Sequence, residues 1–229
     1  GLNYVTVPLD SEFKIRPEQM RSSGGVVIAN PNAPTGRALP LSAIRSILDG
    51  NPDSVVIVDE AYVDFGGQSA VGLIDEYPNL LVVHTFSKSR ALAGMRIGLA
   101  FGDSGLIRAL ESVKNSFNSY TLDRLALAAG AAALEDEGYY KETIGKVIKT
   151  REWFTAELRK RDFSVTDSSA NFVFASHSRV RAEELYHRLR ENRILVRYFK
   201  KPLIDNHLRI SIGTDEDMRT VVGVLDRIL

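Results

Sequence analysis

The sequence predicts an α/β fold: a largely parallel sheet flanked by helices, followed by a smaller α+β region. Two patterns carry this expectation. First, the apolar runs "VVIAN" (Val26–Asn30), "SVVIVDEAY" (Ser54–Tyr62) and "NLLVVHTFSK" (Asn79–Lys88) are unbroken rather than alternating, and helix or turn signals separate them. Strands of that kind belong to parallel sheets buried on both faces. Second, the pattern changes after residue 161, where "FSVTD", "NFVFAS", "ILVRYF" and "HLRISIG" read as short strands around one helix.

The elements follow in order. The turn-rich "PNAPTG" comes after the first strand, its prolines fixing φ and Gly36 free to take φ > 0. "LSAIRSIL" is a helix with Leu41, Ile44, Ile47 and Leu48 on one face. "RIGLAFG" is a further strand, and "SGLIRALESV" and "DRLALAAGAAALED" are helices. Tyr139 to Arg161 reads as one long helix, in which Gly145 costs about 1 kcal/mol relative to alanine and marks a kink or a close contact. "SRVRAEELYHRLREN" is a helix with Ser178 as its N-cap. The last helix starts after Thr214, with Asp217 completing a capping box and Met218, Val221, Leu225 and Ile228 on one face. The expected division is a large unit over 1–138, a connecting helix over 139–161 and a small unit over 162–229.

Bulk properties narrow the function. The 229 residues carry 29 Lys plus Arg against 29 Asp plus Glu, so a broad nucleic-acid footprint is not expected. No apolar run approaches the ~18 residues of a membrane span. Residues 1–15 lack the basic head and apolar centre of a signal peptide. There is no cysteine, which removes disulfides and thiolate metal sites and fits a cytoplasmic protein. The four histidines are scattered without metal-ligand spacing, so no metal site is expected.

Chemistry concentrates at the strand ends. Asp59 and Glu60 close an apolar strand, where ligands of open parallel sheets sit. The alternative for Asp59 is a cap on the following turn. Tyr62 points into the same cleft or lies at the core edge. Lys88 follows "LLVV" among Thr85, Ser87 and Ser89, in segments that read as buried. Burial would lower its proton affinity and make it a nucleophile toward an aldehyde; the alternative is an ordinary solvated lysine. Arg96, Thr85 and Ser87 make a phosphate cradle, since a guanidinium fork and hydroxyls suit a dianion. The alternative for Arg96 is an ion pair. Arg209 alternates away from Leu208, Ile210 and Ile212, and it or Arg197 is either an exposed strand arginine or a clamp for an anionic group.

Taken in order, "PNAPTG", "VDEAY", "TFSKSRALAGMRIG" and "LRISIG" resemble the fold type I pyridoxal-phosphate aminotransferases of the aspartate aminotransferase superfamily. The last two segments are similar to the histidinol-phosphate aminotransferase branch. The resemblance runs from Tyr4 to the last helix and implies a partial cofactor-binding large domain over 1–138. It also implies pyridoxal 5'-phosphate as cofactor and amino-group exchange between histidinol phosphate or imidazole-acetol phosphate and glutamate or 2-oxoglutarate, in histidine biosynthesis. Lys88 would bond the cofactor aldehyde and carry the proton. Asp59 would pair with the pyridine nitrogen, Tyr62 would bond the 3-oxygen, and Thr85, Ser87 and Arg96 would bind the phosphate. Arg209, with Arg197 second, would clamp the substrate's anionic group. The partners implied are a small amino donor and a keto acceptor, in a cytoplasmic homodimer. Two departures stand out. Ala33 occupies the position before "PTG" where the family usually has an asparagine, leaving Asn32 as a displaced candidate. The family's N-terminal region, with its phosphate-binding loop and stacking aromatic, is absent from the sequence. Other readings are a catalytically silent or incomplete module of the same fold, and a related enzyme such as an amino-acid phosphate decarboxylase.

Overall fold

The computed structural model describes residues 3–21 and 24–229. Two four-stranded sheets organise the chain, with a long helix between them in sequence. The first contains β1 (Val26–Ala29), β2 (Val56–Asp59), β3 (Leu80–Thr85) and β4 (Gly98–Gly102) in that order. β1, β2 and β3 run parallel, and β4 returns antiparallel to β3. The second contains β5 (Phe163–Val165), β6 (Phe172–His177), β7 (Arg197–Tyr198) and β8 (Leu208–Ser211), ordered β5-β6-β8-β7 and wholly antiparallel.

The helices are α1 (Leu41–Asp49), α2 (Ser104–Phe117), α3 (Arg124–Glu135), α4 (Glu137–Arg159), α5 (Ala182–Glu191) and α6 (Asp215–Ile228). α1 buries Ile44, Ile47 and Leu48 against Val26, Ile28, Val56, Val58, Leu80 and Val82. A fully buried aliphatic side chain of this kind contributes about 1.5–3 kcal/mol. α6 opens with the expected capping box: Asp217 N–H donates to Thr214 Oγ1, and Thr214 N–H donates to Asp217 Oδ2. Met218, Val221, Val222, Val224 and Leu225 of α6 then pack with Phe154, Leu158, Leu185, Leu189, Val173 and Ile210 into a second core.

Three expectations need correction. The parallel sheet is fully covered on one face only; on the other, Leu81 of β3 is buried while the remaining strand residues are half-buried or exposed. Strand alternation puts Val26, Val58 and Val82 on the covered face and Val27, Asp59 and Thr85 on the other, where Val27 is 69% exposed. Ser178 does not cap α5. Its N-cap is Arg181, and the Ala182 N–H is taken by Asn206 Oδ1 from a distant loop. Gly145 marks no close contact, because α4 runs through it and a Cβ there would meet open space.

Hydrogen bonds join the two sheets. Thr166 Oγ1 donates to Thr35 O at 2.6 Å, and Ser169 N–H donates to Gly36 O at 2.8 Å. Arg151, buried on α4, donates from one Nη1 to both Phe65 O and Ala170 O at 2.7 Å each. Burial lowers its proton affinity.

Candidate active site

Period-2 alternation sorts the two acids of "VDEAY" onto opposite sides of the sheet. Glu60 turns into the covered side and is buried there. It accepts from Ser69 Oγ at 2.6 Å and Ala70 N–H at 2.7 Å, and pairs with His84 Nε2 at 2.8 Å. A carboxylate so fully partnered is structural. Asp59 stands on the open face at the carboxyl end of β2 and is exposed. Its Oδ1 accepts the Ala61 N–H at 3.1 Å, so it does make the turn bond, with one oxygen. Among the described residues its Oδ2 has no protein partner.

Thr85 shares the open face, at the end of β3. Its Oγ1 accepts the Ser87 N–H at 3.1 Å, holding the turn that carries Lys88. Lys88 is exposed, which overturns the expectation of a buried amine. Lys88 lies in the turn beyond the end of β3, and its side chain meets solvent there. The amine is nonetheless placed. Lys88 Nζ lies 5.4 Å from the centroid of the half-buried Tyr62 ring.

Arg96 sits across the β3–β4 connection from Thr85, whose register partner is Gly98. It is exposed, takes a left-handed φ of 55°, and donates from Nη1 to Ala93 O at 2.9 Å. Among the described residues it forms no ion pair, so the pairing alternative is not realised. Asn32 is occupied inside its own turn, where Oδ1 accepts from Thr35 Oγ1 at 2.9 Å; the adjacent Ala33 is exposed.

The second sheet reaches this cluster through an aromatic that sequence reasoning passed over. Phe172 meets Tyr62 edge to face at 5.1 Å, and Arg209 Cζ lies 5.1 Å from the Phe172 ring centroid. Arg209 also lies 5.9 Å from the Phe199 ring, over which Arg197 sits at 5.4 Å. Arg197 and Arg209 are register partners on β7 and β8. Arg209 Nε is buried without a hydrogen-bond partner. Two like charges side by side, one with an unmet donor, are costly unless an anion joins them. The structure therefore brings together Lys88, Tyr62 and Arg209 through Phe172, with Asp59 and Thr85 on the neighbouring open face. Alternation in "NFVFAS" carried the missed signal, since Phe172 shares a sheet face with Arg209.

A cluster of electrophile-binding and anion-binding groups at the carboxyl edge of a parallel sheet, completed from a second sheet, defines a two-part small-molecule site. Comparison with known proteins agrees with that class. The sequence profile of the family "Aminotransferase class I and II" matches residues 5–225, and the chain belongs to that family. It is 55% identical to "Histidinol-phosphate aminotransferase 2" of Dechloromonas aromatica (strain RCB), covering 100% of this chain and 65% of that protein. It is also 55% identical to "Histidinol-phosphate aminotransferase 1" of Hydrogenovibrio crunogenus (strain DSM 25203 / XCL-2), covering 100% of this chain and 64% of that one. The chain thus spans a little under two thirds of these relatives' length. Among solved structures, the histidinol-phosphate aminotransferase from Clostridium acetobutylicum superposes with a TM-score of 0.86 at 27% identity, over 96% of this chain and 69% of that one. The α/β fold with its parallel-rich sheet is the fold of these neighbours. Among the described residues no helix is long and apolar enough to cross a membrane, and no group of three or more acids and histidines is placed to hold a metal ion.

Proposed function

We propose that this chain is the larger part of a pyridoxal-phosphate aminotransferase that exchanges an amino group between histidinol phosphate and 2-oxoglutarate, or in reverse between glutamate and imidazole-acetol phosphate. The observation that carries the reading is the run Lys88–Tyr62–Phe172–Arg209, which puts an amine and an unpaired guanidinium at two ends of one aromatic bridge. The donor set fits the cofactor. Asp59 offers a free carboxylate oxygen for a pyridinium, Thr85, Ser87 and Arg96 offer hydroxyls and a guanidinium for a phosphate, and Lys88 offers an amine for an aldehyde. When bound, pyridoxal phosphate supplies an aldehyde carbon and a ring that withdraws electrons from substrate Cα.

The chain's own residues then divide the work. Asp59 holds a proton on the ring nitrogen. Tyr62 donates to the 3-oxygen, and Asn32, whose Oδ1 is held by Thr35, keeps its amide Nδ2 as a second donor. Lys88 moves the proton at substrate Cα. Arg209 and Arg197 clamp the anionic end of the substrate. The same reading makes the protein a cytoplasmic homodimer of histidine biosynthesis. Val113 (62% exposed) and Phe117 (79%) on α2, and Leu125 (77%) on α3, are apolar surface that supports association.

Light absorption tests this. With added pyridoxal phosphate, the wild-type chain is expected to develop a near-ultraviolet or visible band that borohydride abolishes and Lys88→Ala lacks. L-glutamate or histidinol phosphate is then expected to bleach it. No band marks a silent or incomplete module, which the exposure of Lys88 favours. A band with carbon dioxide released from an amino-acid phosphate marks a decarboxylase.

A further inference from the structure

Ser89, the hydroxyl next to Lys88, takes no part in the chemistry above, yet it is tied down. Ser89 Oγ donates to Asp64 Oδ2 at 2.5 Å. Asp64 belongs to the 3-10 turn Val63–Phe65 that begins directly after Tyr62. One hydrogen bond therefore fastens the turn that follows the phenol to the loop that follows the amine.

The knot is anchored on both sides. From α4, Tyr140 stands beside Asp64, and burial together with that carboxylate pushes its proton affinity up to about 12. Arg90, the next residue after Ser89, lies 3.7 Å from the Tyr140 ring centroid and hydrogen-bonds Ala133 O on α3. The same 3-10 turn is held at its far end by Arg151, which donates to Phe65 O. An exposed lysine has four rotatable bonds and no packing of its own to hold it. Something else must define where its amine stands.

We propose that Asp64 is a positioning residue: by accepting from Ser89 it sets the separation of the Lys88 amine from the Tyr62 ring. The inference rests on the proposed function only for what Lys88 and Tyr62 do; the placement itself is a property of the chain alone.

The test needs no cofactor. The lysines of the 229-residue chain are dimethylated with 13C-formaldehyde and the methyl resonances recorded by NMR, with Lys88 assigned by its loss in Lys88→Arg. In wild type the Tyr62 ring is expected to displace the Lys88 signal upfield of the other lysines, and Tyr62→Leu sets the undisplaced position. Ser89→Ala and Asp64→Ala are expected to lose most of the displacement, and Ser89→Thr, which keeps the hydroxyl, to retain it. Far-UV circular dichroism and the thermal midpoint establish that each variant is folded. Should Asp64→Ala unfold, Ser89→Ala decides alone, because it removes a single oxygen. A folded Ser89→Ala with the Lys88 signal unmoved overturns the inference, as does an undisplaced signal in wild type. A displaced signal in a wild-type chain that forms no cofactor band overturns the proposed function and leaves the positioning role standing.

Discussion

β1 and β6 are both apolar strands, yet they meet opposite fates. β6 is buried on both faces. Val173 and Ala175 pack with α4, α5 and α6, while Phe174 on the other face stacks on His207 at 4.7 Å and meets Phe13 edge to face at 5.5 Å. β1 is buried on one face only, with Ile28 inside and Val27 outside. An apolar residue in a strand states what it can bury, not what is there to bury it. In this chain the uncovered face is also the face that carries Asp59 and Thr85. Each sheet has a core of its own, and the open face of the first sheet is where binding groups can be left unsatisfied.

The sharpest way to break this contrast is to truncate one side chain in each strand. Phe174→Ala is expected to cost about 3–5 kcal/mol, as for other large-to-small core changes. Val27→Ala should stay within about 0.5 kcal/mol, as at open surface sites. Denaturant midpoints at unchanged slope measure both, and equal losses would mean that Val27 is covered in solution.

Arg151 probes the seam between the two sheets. Arg151→Met leaves Phe65 O and Ala170 O without their donor, and a loss of about 2–4 kcal/mol is expected from two stranded carbonyls. A neutral result would show that the sheets dock without it. Arg209→Ala acts on the substrate side of the seam. It is expected to raise KM about tenfold, near 1.4 kcal/mol, while the absorbance of the cofactor-loaded chain is unchanged. An unchanged KM would remove Arg209 from the site.

The smallest effect concerns the ring that covers Phe174. Burial lowers the proton affinity of His207 below its ordinary 6.5. The unfolded chain therefore takes up the proton first as pH falls. The stability from neutral His207 is full above 6.5 and is lost as pH drops below that value toward the folded one. His207→Gln should flatten part of the fall in thermal midpoint between neutral and mildly acidic pH. An unaltered pH profile would show that this ring is not sealed against Phe174.

What the sequence made legible was local. The capping box of α6 needs only Thr214 and Asp217, three residues apart, and the buried stripe of α1 needs only helical spacing. Alternation likewise foretold that Arg209 leaves the face of Leu208 and Ile210. The misses all depend on partners distant in the chain. Asn206 replaced Ser178 as the cap of α5, Lys88 proved exposed although Phe86 two residues before it is buried, and the bond between Asp64 and Ser89 joins residues that no spacing rule connects. The catalytic candidates were found by residue type and order. Phe172, which links them, was missed because an aromatic in a strand reads first as core.

One contact has a mechanical meaning. Gly36 takes a positive φ of 76°, and a Cβ on it would stand 2.4 Å from Ser168 Oγ. The strand-to-helix turn of one half thus packs against the other half with no room for a Cβ. A methyl there would have to displace Ser168, whose hydroxyl donates to Phe172 O, so a residue with no side chain sets how closely the turn can approach the loop that leads into β6.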